Sequence, residues 1–187
     1  IADEASFNPL TETSTESKVA QLAQSKADVL FVGIGGTPCP TTLGFVPDSW
    51  KPMRYVSITC AGGLAMSLAG ENQEGVYTTQ ATLDPASKTD QENEKIKSFL
   101  TDGKAAGLSD GDLAGGIASV GWGFGAMFTE ILEKSPEVTR AGVMNTAFAL
   151  KDSNYGLLRD EVKATTDGAD DPWLLEDLRV VKRTNAE

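Results

Sequence analysis

The residues Asp28-Val29-Leu30-Phe31-Val32-Gly33-Ile34 decide the fold class of this chain. They form a continuous apolar run rich in β-branched side chains, and the turn-forming residues Gly35-Gly36-Thr37-Pro38 follow it. A short apolar run that turn signals end is typical of a strand inside a parallel sheet. We therefore predict a buried parallel strand over residues 28–34.

The segments on both sides continue an alternation of helix and strand. Upstream, Thr13 and Glu16 have the spacing of a capping box, and small apolar residues then recur at helical intervals. Downstream, a proline-punctuated connection leads to residues 54–59 and then to residues 74–80, and both segments are typical of strands. This alternation predicts β-α-β units with right-handed crossovers, and hence a mostly parallel sheet flanked by helices.

After Pro85 the pattern changes to a run of helices. We predict helices over residues 90–102, 112–134 and 139–150, and a terminal strand over residues 174–184. The longest of these helices is rich in glycine in its first half. Its apolar positions recur at the spacing of one helix face, which predicts that they pack against a core: Ile117, Val120, Gly121, Phe124, Phe128 and Ile131.

Composition and charge exclude several classes of partner. The 187 residues include 16 basic and 27 acidic side chains, so the net charge is −11. That field repels a nucleic-acid backbone and an anionic membrane surface, so we expect no nucleic-acid partner. No apolar run reaches the roughly 18 residues that span a bilayer. Because the chain starts with Ile1 and has no signal peptide, we expect it to be processed or truncated.

The residue types argue against catalysis. The chain has no histidine, which removes the commonest general base and most zinc sites, so we expect no catalytic residue, no metal site and no cofactor. The glycine-rich run 33–38 follows a strand, but it lacks the spacing of a dinucleotide fingerprint and has no Walker A lysine. A loop that binds a small ligand through its backbone is the interpretation we prefer, because ligands of open α/β sheets lie beyond the carboxyl ends of strands.

The two cysteines, Cys39 and Cys60, each follow the carboxyl end of a predicted strand. If those strands are neighbours, the two loops lie together and a disulfide between them is geometrically plausible. The alternative is two unrelated thiols, and the sequence leaves both open. A disulfide would imply an oxidising compartment.

Longer stretches of the chain resemble one known family. They are SKVAQLAQSKADVLFVG at 17–33, ENQEGVYTTQATLDPAS at 71–87 and LLEDLRVVKRT at 174–184. The chain resembles the type I periplasmic (extracellular) solute-binding proteins, the branched-chain amino acid substrate-binding components of ABC transporters, over their C-terminal portion. The resemblance implies the type I periplasmic-binding-protein fold, an α/β fold with Rossmann-like parallel sheets flanked by helices in two hinged lobes, here incomplete.

The resemblance also implies a division of the chain. Residues 1–80 would be the later part of the second, C-terminal lobe, and residues 81–85 a hinge crossing. Residues 86–172 would be the returning helical part of the first, N-terminal lobe. Residues 173–187 would be the third crossing and the terminal strand. A missing N-terminal half, or a companion chain, would complete the fold, and we expect exposed apolar surface where those elements belong.

By the same resemblance, the function is capture of a solute without chemistry. The protein would be an extracytoplasmic component of an ABC importer that encloses a small solute between two lobes and delivers it to an ABC permease. Its solute-binding residues would lie in the loops after the first two predicted strands: Gly36, Thr37, Pro38, Thr59, Cys60 and Ala61. These loops have neither an aromatic nor an acidic residue, so an amino acid, another small carboxylate and an aromatic metabolite stay open.

Two alternatives remain at the level of sequence. One is the ligand-sensing domain of a receptor with the same fold, since a fold does not determine a function. The other is a small, self-contained Rossmann-like or flavodoxin-like enzyme or sensor domain, which predicts a bound cofactor and an intact sheet.

Overall fold

The computed structural model describes residues 1–60 and 62–184. The chain divides into two compact units. The first unit comprises residues 1–80 together with the residues from 180 onward, and the second comprises residues 81–179. Within the described residues, no helix is long and apolar enough to cross a membrane.

The first unit is built on a sheet with the strand order β1-β2-β3-β4. The strands are β1 (Val29–Val32), β2 (Met53–Val56), β3 (Tyr77–Gln80) and β4 (Arg179–Lys182). β1 pairs with β2 and β2 with β3, both in parallel, as the sequence predicts. The helices of this unit are α1 (Glu16–Gln24), α2 (Pro38–Gly44) and α3 (Gly63–Met66), and 3₁₀ turns lie before α3 at Ile58–Cys60 and after it at Ser67–Gln73.

One face of this sheet carries the core of the unit. Leu30 and Val32 of β1 and Val56 of β2 point into a cluster that side chains from all three helices complete. Trp50 closes one end of the cluster, and its indole N–H donates a hydrogen bond to the carbonyl oxygen of Ala27 at 2.8 Å. Burial of these apolar side chains supplies the main stabilisation of the unit, at roughly 1.5–3 kcal/mol for each large one.

The opposite face of the sheet is open. In β1 the buried residues alternate with exposed ones, and Phe31 is 64% exposed. The prediction of a strand buried on both sides is therefore wrong for this chain. The physical reason is that the helices of the unit cover one face only, although a parallel sheet ordinarily has both faces covered.

The second unit is mainly helical in its first part. It contains a 3₁₀ turn at Asp90–Glu92 and the helices α4 (Glu94–Ala105), α5 (Asp110–Ala114), α6 (Gly116–Lys134) and α7 (Arg140–Ala147). Its main apolar cluster includes Ile96 and Phe99 of α4, and both side chains are fully buried. Trp122 packs edge-on against Phe99, with 5.7 Å between the ring centroids.

Residues 151–178 contain no helix and only isolated β-bridges, so polar contacts replace regular structure there. The guanidinium of Arg159 forms a buried ion pair with Asp90, with 2.9 Å between Nη2 and Oδ2. The same carboxylate accepts a hydrogen bond from the backbone N–H of Asp84 at 2.8 Å. The amide nitrogen of Asn154 donates to the carbonyl oxygens of Arg159 and Val162.

Four sequence expectations need correction. The predicted helix over 112–134 is two helices, because Gly115 has an extended backbone between α5 and α6. Most of the apolar face of α6 does not pack: Ile131 is buried, but Phe124 is 61% exposed. The terminal strand is only four residues long, Arg179–Lys182. The proline-punctuated connection after β1 contains a helix that the sequence does not predict, α2. Pro38 can begin this helix because the N–H of a first helical residue has no hydrogen-bond partner within the helix.

Candidate functional site

The candidate site lies at the carboxyl edge of the parallel strands of the first unit. Because β1, β2 and β3 run in the same direction, the loops that follow them begin at the same edge of the sheet. The loop after β1 comprises residues 33–37 and leads into α2, and the loop after β2 comprises residues 57–62 and leads into α3. This edge is where open α/β sheets bind their ligands.

The first loop turns sharply and exposes its polar groups. Gly36 has φ +67°, a left-handed conformation that glycine adopts at no steric cost, and its carbonyl oxygen accepts a hydrogen bond from the N–H of Cys39 at 3.1 Å. Thr37 is exposed and its side chain makes no cap hydrogen bond to α2. Pro38 is the first residue of α2 and is half-buried. The loop therefore offers an exposed hydroxyl and exposed backbone.

The second loop is a 3₁₀ turn, Ile58–Cys60. β2 ends at Val56, so Thr59 lies within this turn and not at the end of the strand, as the sequence pattern predicts. The hydroxyl oxygens of Ser57 and Thr59 are hydrogen-bonded at 2.9 Å, and Thr59 is exposed. Ser57 is absent from the predicted site because the sequence pattern assigns it to the strand interior. Ala61, the remaining predicted residue, lies outside the described residues.

The two loops are in contact, and a disulfide joins the start of α2 to the second loop. A methyl group added at Gly35 would lie 3.3 Å from the hydroxyl oxygen of Thr59, so the backbone of the first loop lies close to the Thr59 side chain. A disulfide links Cys39 to Cys60, with 5.9 Å between their Cα atoms. Both cysteines are buried, and no other cysteine occurs in the chain. The sequence alone allows either a disulfide or two unrelated thiols, and the structure contains the disulfide.

The chemistry of this edge is neutral and polar. Residues 33–38 and 57–60 include no charged side chain, and their accessible groups are hydroxyls, backbone amides and carbonyls, and the apolar side chain of Ile58, which is 46% exposed. Such groups bind a solute through hydrogen bonds and select it by shape rather than by charge. Across the described residues, no group of three or more His, Cys, Asp or Glu side chains is arranged to hold a metal ion.

The titratable groups with shifted pKa values lie elsewhere. In the second unit, hydrogen bonds from Lys134 and Ser153 lower the pKa of Glu130 below its ordinary value of 4.5. A hydrogen bond and the charge of Lys95 lower the pKa of Asp160. These shifts follow from ordinary ion pairs, with nitrogen to oxygen distances of 2.6 Å for Lys134 to Glu130 and 2.8 Å for Lys95 to Asp160. We assign no chemical role to either pair.

Comparison with solved structures identifies the fold. An extracellular ligand-binding receptor from Rhodopseudomonas palustris matches 94% of this chain with a TM-score of 0.63 and 16% sequence identity. A leucine binding protein from Thermotoga maritima matches 95% with a TM-score of 0.65 and 10% identity. A branched chain amino acid ABC transporter protein from Thermus thermophilus, solved with bound valine, matches 91% with a TM-score of 0.63 and 11% identity.

These matches confirm the predicted fold, the α/β type I periplasmic-binding-protein fold. The similar proteins are binding proteins and receptors rather than enzymes. The matched regions are 51%, 47% and 46% of the three solved chains, so this chain spans about half of their length. No protein-family model matches the sequence, and no curated protein matches it either.

Proposed function

We propose that this chain is part of a solute-binding protein that captures a small polar molecule at the carboxyl edge of the first unit's sheet. The observation that carries the proposal is the pair of contacting loops at this edge, with the exposed hydroxyls of Thr37 and Thr59. They occur in a fold that ligand-binding receptors and amino acid binding proteins share over more than nine-tenths of the chain. In this proposal Gly36, Thr37, Pro38, Thr59, Cys60 and Ala61 line one side of the solute.

The neutral character of the two loops restricts what this side of the site recognises. A solute with an ammonium group would find no carboxylate in residues 33–38 or 57–60, so its charge would have to be balanced by another part of the protein. Hydroxyl and amide donors instead suit a carboxylate or another oxygen-rich group. Small carboxylates, including amino acids held by their carboxylate end, are the solute class we propose.

The proposed mechanism is a ligand-dependent closure of two lobes. Residues 1–80 would belong to the second lobe, 81–85 to a hinge crossing, 86–172 to the first lobe and 173–187 to a third crossing and terminal strand. A solute shifts such a hinged protein toward its closed form only by contacts that exist in that form. The closed form would then dock on an ABC permease at the outer side of a membrane, in an extracytoplasmic location where the disulfide is stable.

A second candidate is a ligand-sensing receptor domain, since the solved Rhodopseudomonas palustris protein is described as a receptor. Capture of the solute at the same edge is common to both candidates. They differ in the partner of the closed form, a permease or a signalling protein.

A binding screen on the 187-residue chain tests the proposal. The melting temperature is measured separately with succinate, benzoate, L-leucine and L-valine, each at 10 mM. This concentration is ten times a Kd of about 1 mM, and a ligand at ten times its Kd stabilises the folded protein by about 1.4 kcal/mol. We expect at least one carboxylate to raise the melting temperature by about 3 °C or more. Replacement of Thr59 by Val should abolish this increase, whereas Thr101→Val, an exposed threonine in α4, should retain it. An increase that persists in the Thr59→Val variant, or no increase with any probe, would contradict the proposed site.

A further inference from the structure

The disulfide joins two turns, and each turn contains one of the exposed hydroxyls of the candidate site. Each cysteine closes its turn by donating its backbone N–H to the carbonyl oxygen three residues earlier, at 3.1 Å in both cases. Thr37 lies inside the turn that Cys39 closes, and Thr59 lies inside the turn that Cys60 closes. The bond between the two sulfurs therefore connects the backbone of one hydroxyl-bearing turn to that of the other.

The pairing of β1 with β2 ends before it reaches these turns. Its last backbone hydrogen bond runs from the N–H of Ser57 to the carbonyl oxygen of Val32, at 3.0 Å. Among the described residues, no backbone hydrogen bond joins residues 33–38 to residues 57–60. The disulfide therefore connects the two segments at a point where the sheet no longer does.

Local interactions hold the first turn only weakly. Its Gly36 has φ +67°, and a glycine also adopts many other backbone conformations at no steric cost. The side chain of Thr37 makes no cap hydrogen bond to α2, so this hydroxyl does not anchor the turn to the helix that follows. The covalent link to Cys60 therefore restricts where the turn lies.

A role in general stability alone does not explain the position of the bond. Both cysteines are buried in the apolar core of the first unit, where other side chains of α2 already pack beneath the sheet. A bond between the two turns has a further effect, because a segment that is already ordered loses less entropy when it binds a solute. If the unlinked turns adopt the binding geometry about one-tenth of the time, the apparent Kd rises about tenfold.

We propose that the disulfide between Cys39 and Cys60 positions Thr37 and Thr59 for the solute. The oxidised chain then binds its solute about tenfold more tightly than the reduced chain. The positioning follows from the geometry of the two turns, and its effect on capture rests on the proposed function. Capture of the solute thereby depends on the oxidation state of the chain.

Reduction of this bond needs a dithiol as the electron donor. The sulfur–sulfur bond breaks, each cysteine sulfur gains one electron and one proton, and the dithiol loses two electrons and two protons as it closes to its own disulfide. Both cysteine side chains are fully buried, so attack by a thiolate requires the turns to open first. The bond persists in an oxidising compartment, and tight capture begins once the bond has formed there.

The positioning is tested first, without any solute. Backbone order parameters are measured by ¹⁵N relaxation on the oxidised 187-residue chain and on the double variant Cys39→Ala with Cys60→Ala, which adds no polar group to the apolar core. We expect the order parameters of the Thr37 and Thr59 amides to fall from about 0.85, the value of rigid backbone, to below about 0.6. The amide of Phe99, in α4 of the second unit, should keep its value.

Val19→Ala is the matched control for a loss of stability. Val19 is buried in α1 and packs in the same core, but it lies outside both turns. Its substitution destabilises the unit by loss of core packing and should leave the order parameters of both turns unchanged. A second cysteine pair, Cys39→Val with Cys60→Ala, restores part of the lost sulfur volume and is used if the alanine pair is unfolded by circular dichroism.

Capture is tested next with four probes, which are succinate, benzoate, L-leucine and L-valine. The Kd of each probe is measured by amide-shift titration of the oxidised chain, the cysteine variant and Val19→Ala. For a probe that binds the oxidised chain, the Kd should rise at least about tenfold in the cysteine variant and stay within about twofold in Val19→Ala. Reduction of the wild-type chain with dithiothreitol should raise the Kd to the same extent, and reoxidation should restore it.

Three results would overturn the inference. One is unchanged order parameters of Thr37 and Thr59 in the cysteine variant, whatever the probes do. Another is a Kd in the cysteine variant that stays within about twofold of the oxidised chain's value. The third is an equal rise of the Kd in Val19→Ala, which would make general stability the cause. If none of the four probes binds the oxidised chain, the proposed function fails, and the order parameters measured without solute then decide the inference by themselves.

Discussion

The two units are stabilised in different ways. In the first unit, the two site loops are held by apolar side chains beneath one face of the sheet and by a disulfide. The irregular part of the second unit depends instead on a buried ion pair and on side-chain hydrogen bonds. The difference follows from secondary structure. A sheet satisfies its own backbone groups, so its core can be apolar. Residues 151–178 have only isolated bridges, and side chains such as Asn154 must satisfy their backbone carbonyls.

This comparison predicts that a polar substitution is most harmful in the second unit. Asp90→Ala removes the partner of a guanidinium that is only about a tenth exposed, which should cost about 3–5 kcal/mol. The measurement is urea unfolding followed by circular dichroism. Asp160→Ala, which removes an exposed carboxylate from Lys95, is the control and should cost less than about 1 kcal/mol. Equal costs for the two variants would show that the buried pair has no special structural role.

The matching prediction for the first unit concerns its disulfide. The double substitution Cys39→Ser and Cys60→Ser removes a covalent link between residues 21 apart in the chain. It should lower the free energy of unfolding by about 3 kcal/mol. The loss should be local, because both cysteines belong to the first unit. Hydrogen exchange of the β1 amides should accelerate, and exchange of the amides of residues 157–166 should not change. Equal acceleration in both units would contradict the separation of the two cores.

Lys95 also stabilises the second unit through polar contacts, because it joins irregular backbone to a helix. Its ammonium donates hydrogen bonds to the carbonyl oxygen of Leu158 at 2.7 Å and to the side chain of Asn154. Lys95→Met keeps the apolar stem and removes these bonds, so it should cost about 1–3 kcal/mol in urea unfolding. Lys97→Met, on the same helix with its ammonium paired to exposed Glu94, should cost less than about 1 kcal/mol. A larger loss at Lys97 than at Lys95 would contradict the role of Lys95.

The smallest expected effect is the change in stability at low pH that Glu130 causes. Because the pKa of Glu130 is lower in the folded protein than its ordinary value of 4.5, its ionised form contributes stability above pH 4.5. This contribution is lost as the pH falls from 4.5 through the folded pKa. The difference in unfolding free energy between wild type and Glu130→Gln should be under about 1 kcal/mol at pH 7 and should decline below pH 4.5. A difference that stays constant down to pH 3, or Glu133→Gln behaving identically, would contradict this assignment.

The order of strands and helices could be predicted from the sequence because local patterns determine it. Residues 28–34 show the apolar run of a strand, and residues 94–105 bury Ile96 and Phe99 at the spacing that the sequence indicates. The open face could not be predicted from these patterns. Phe31 and Val32 have the same local character, and only the direction of the crossovers determines which of them is covered.

The candidate site could be predicted in part for a similar reason. Loops at the carboxyl ends of parallel strands can be located from strand positions, which gives Thr37 and Thr59. The hydrogen bond between Ser57 and Thr59 could not be predicted, because the sequence does not show that β2 ends at Val56 and a 3₁₀ turn begins. The ion pair of Asp90 with Arg159 joins residues 69 apart in the chain, and no local pattern relates them.

The position at which a solute binds tests the proposed function most directly. A ¹⁵N HSQC titration of the 187-residue chain with the carboxylate that raises its melting temperature measures this residue by residue, even at millimolar affinity. We predict shifts of the amide signals of Gly36, Thr37, Thr59 and Cys60, with the amides of residues 157–166 unchanged. Shifts confined to the second unit, or an absence of shifts at both loops, would contradict the claim that this edge of the sheet binds the solute.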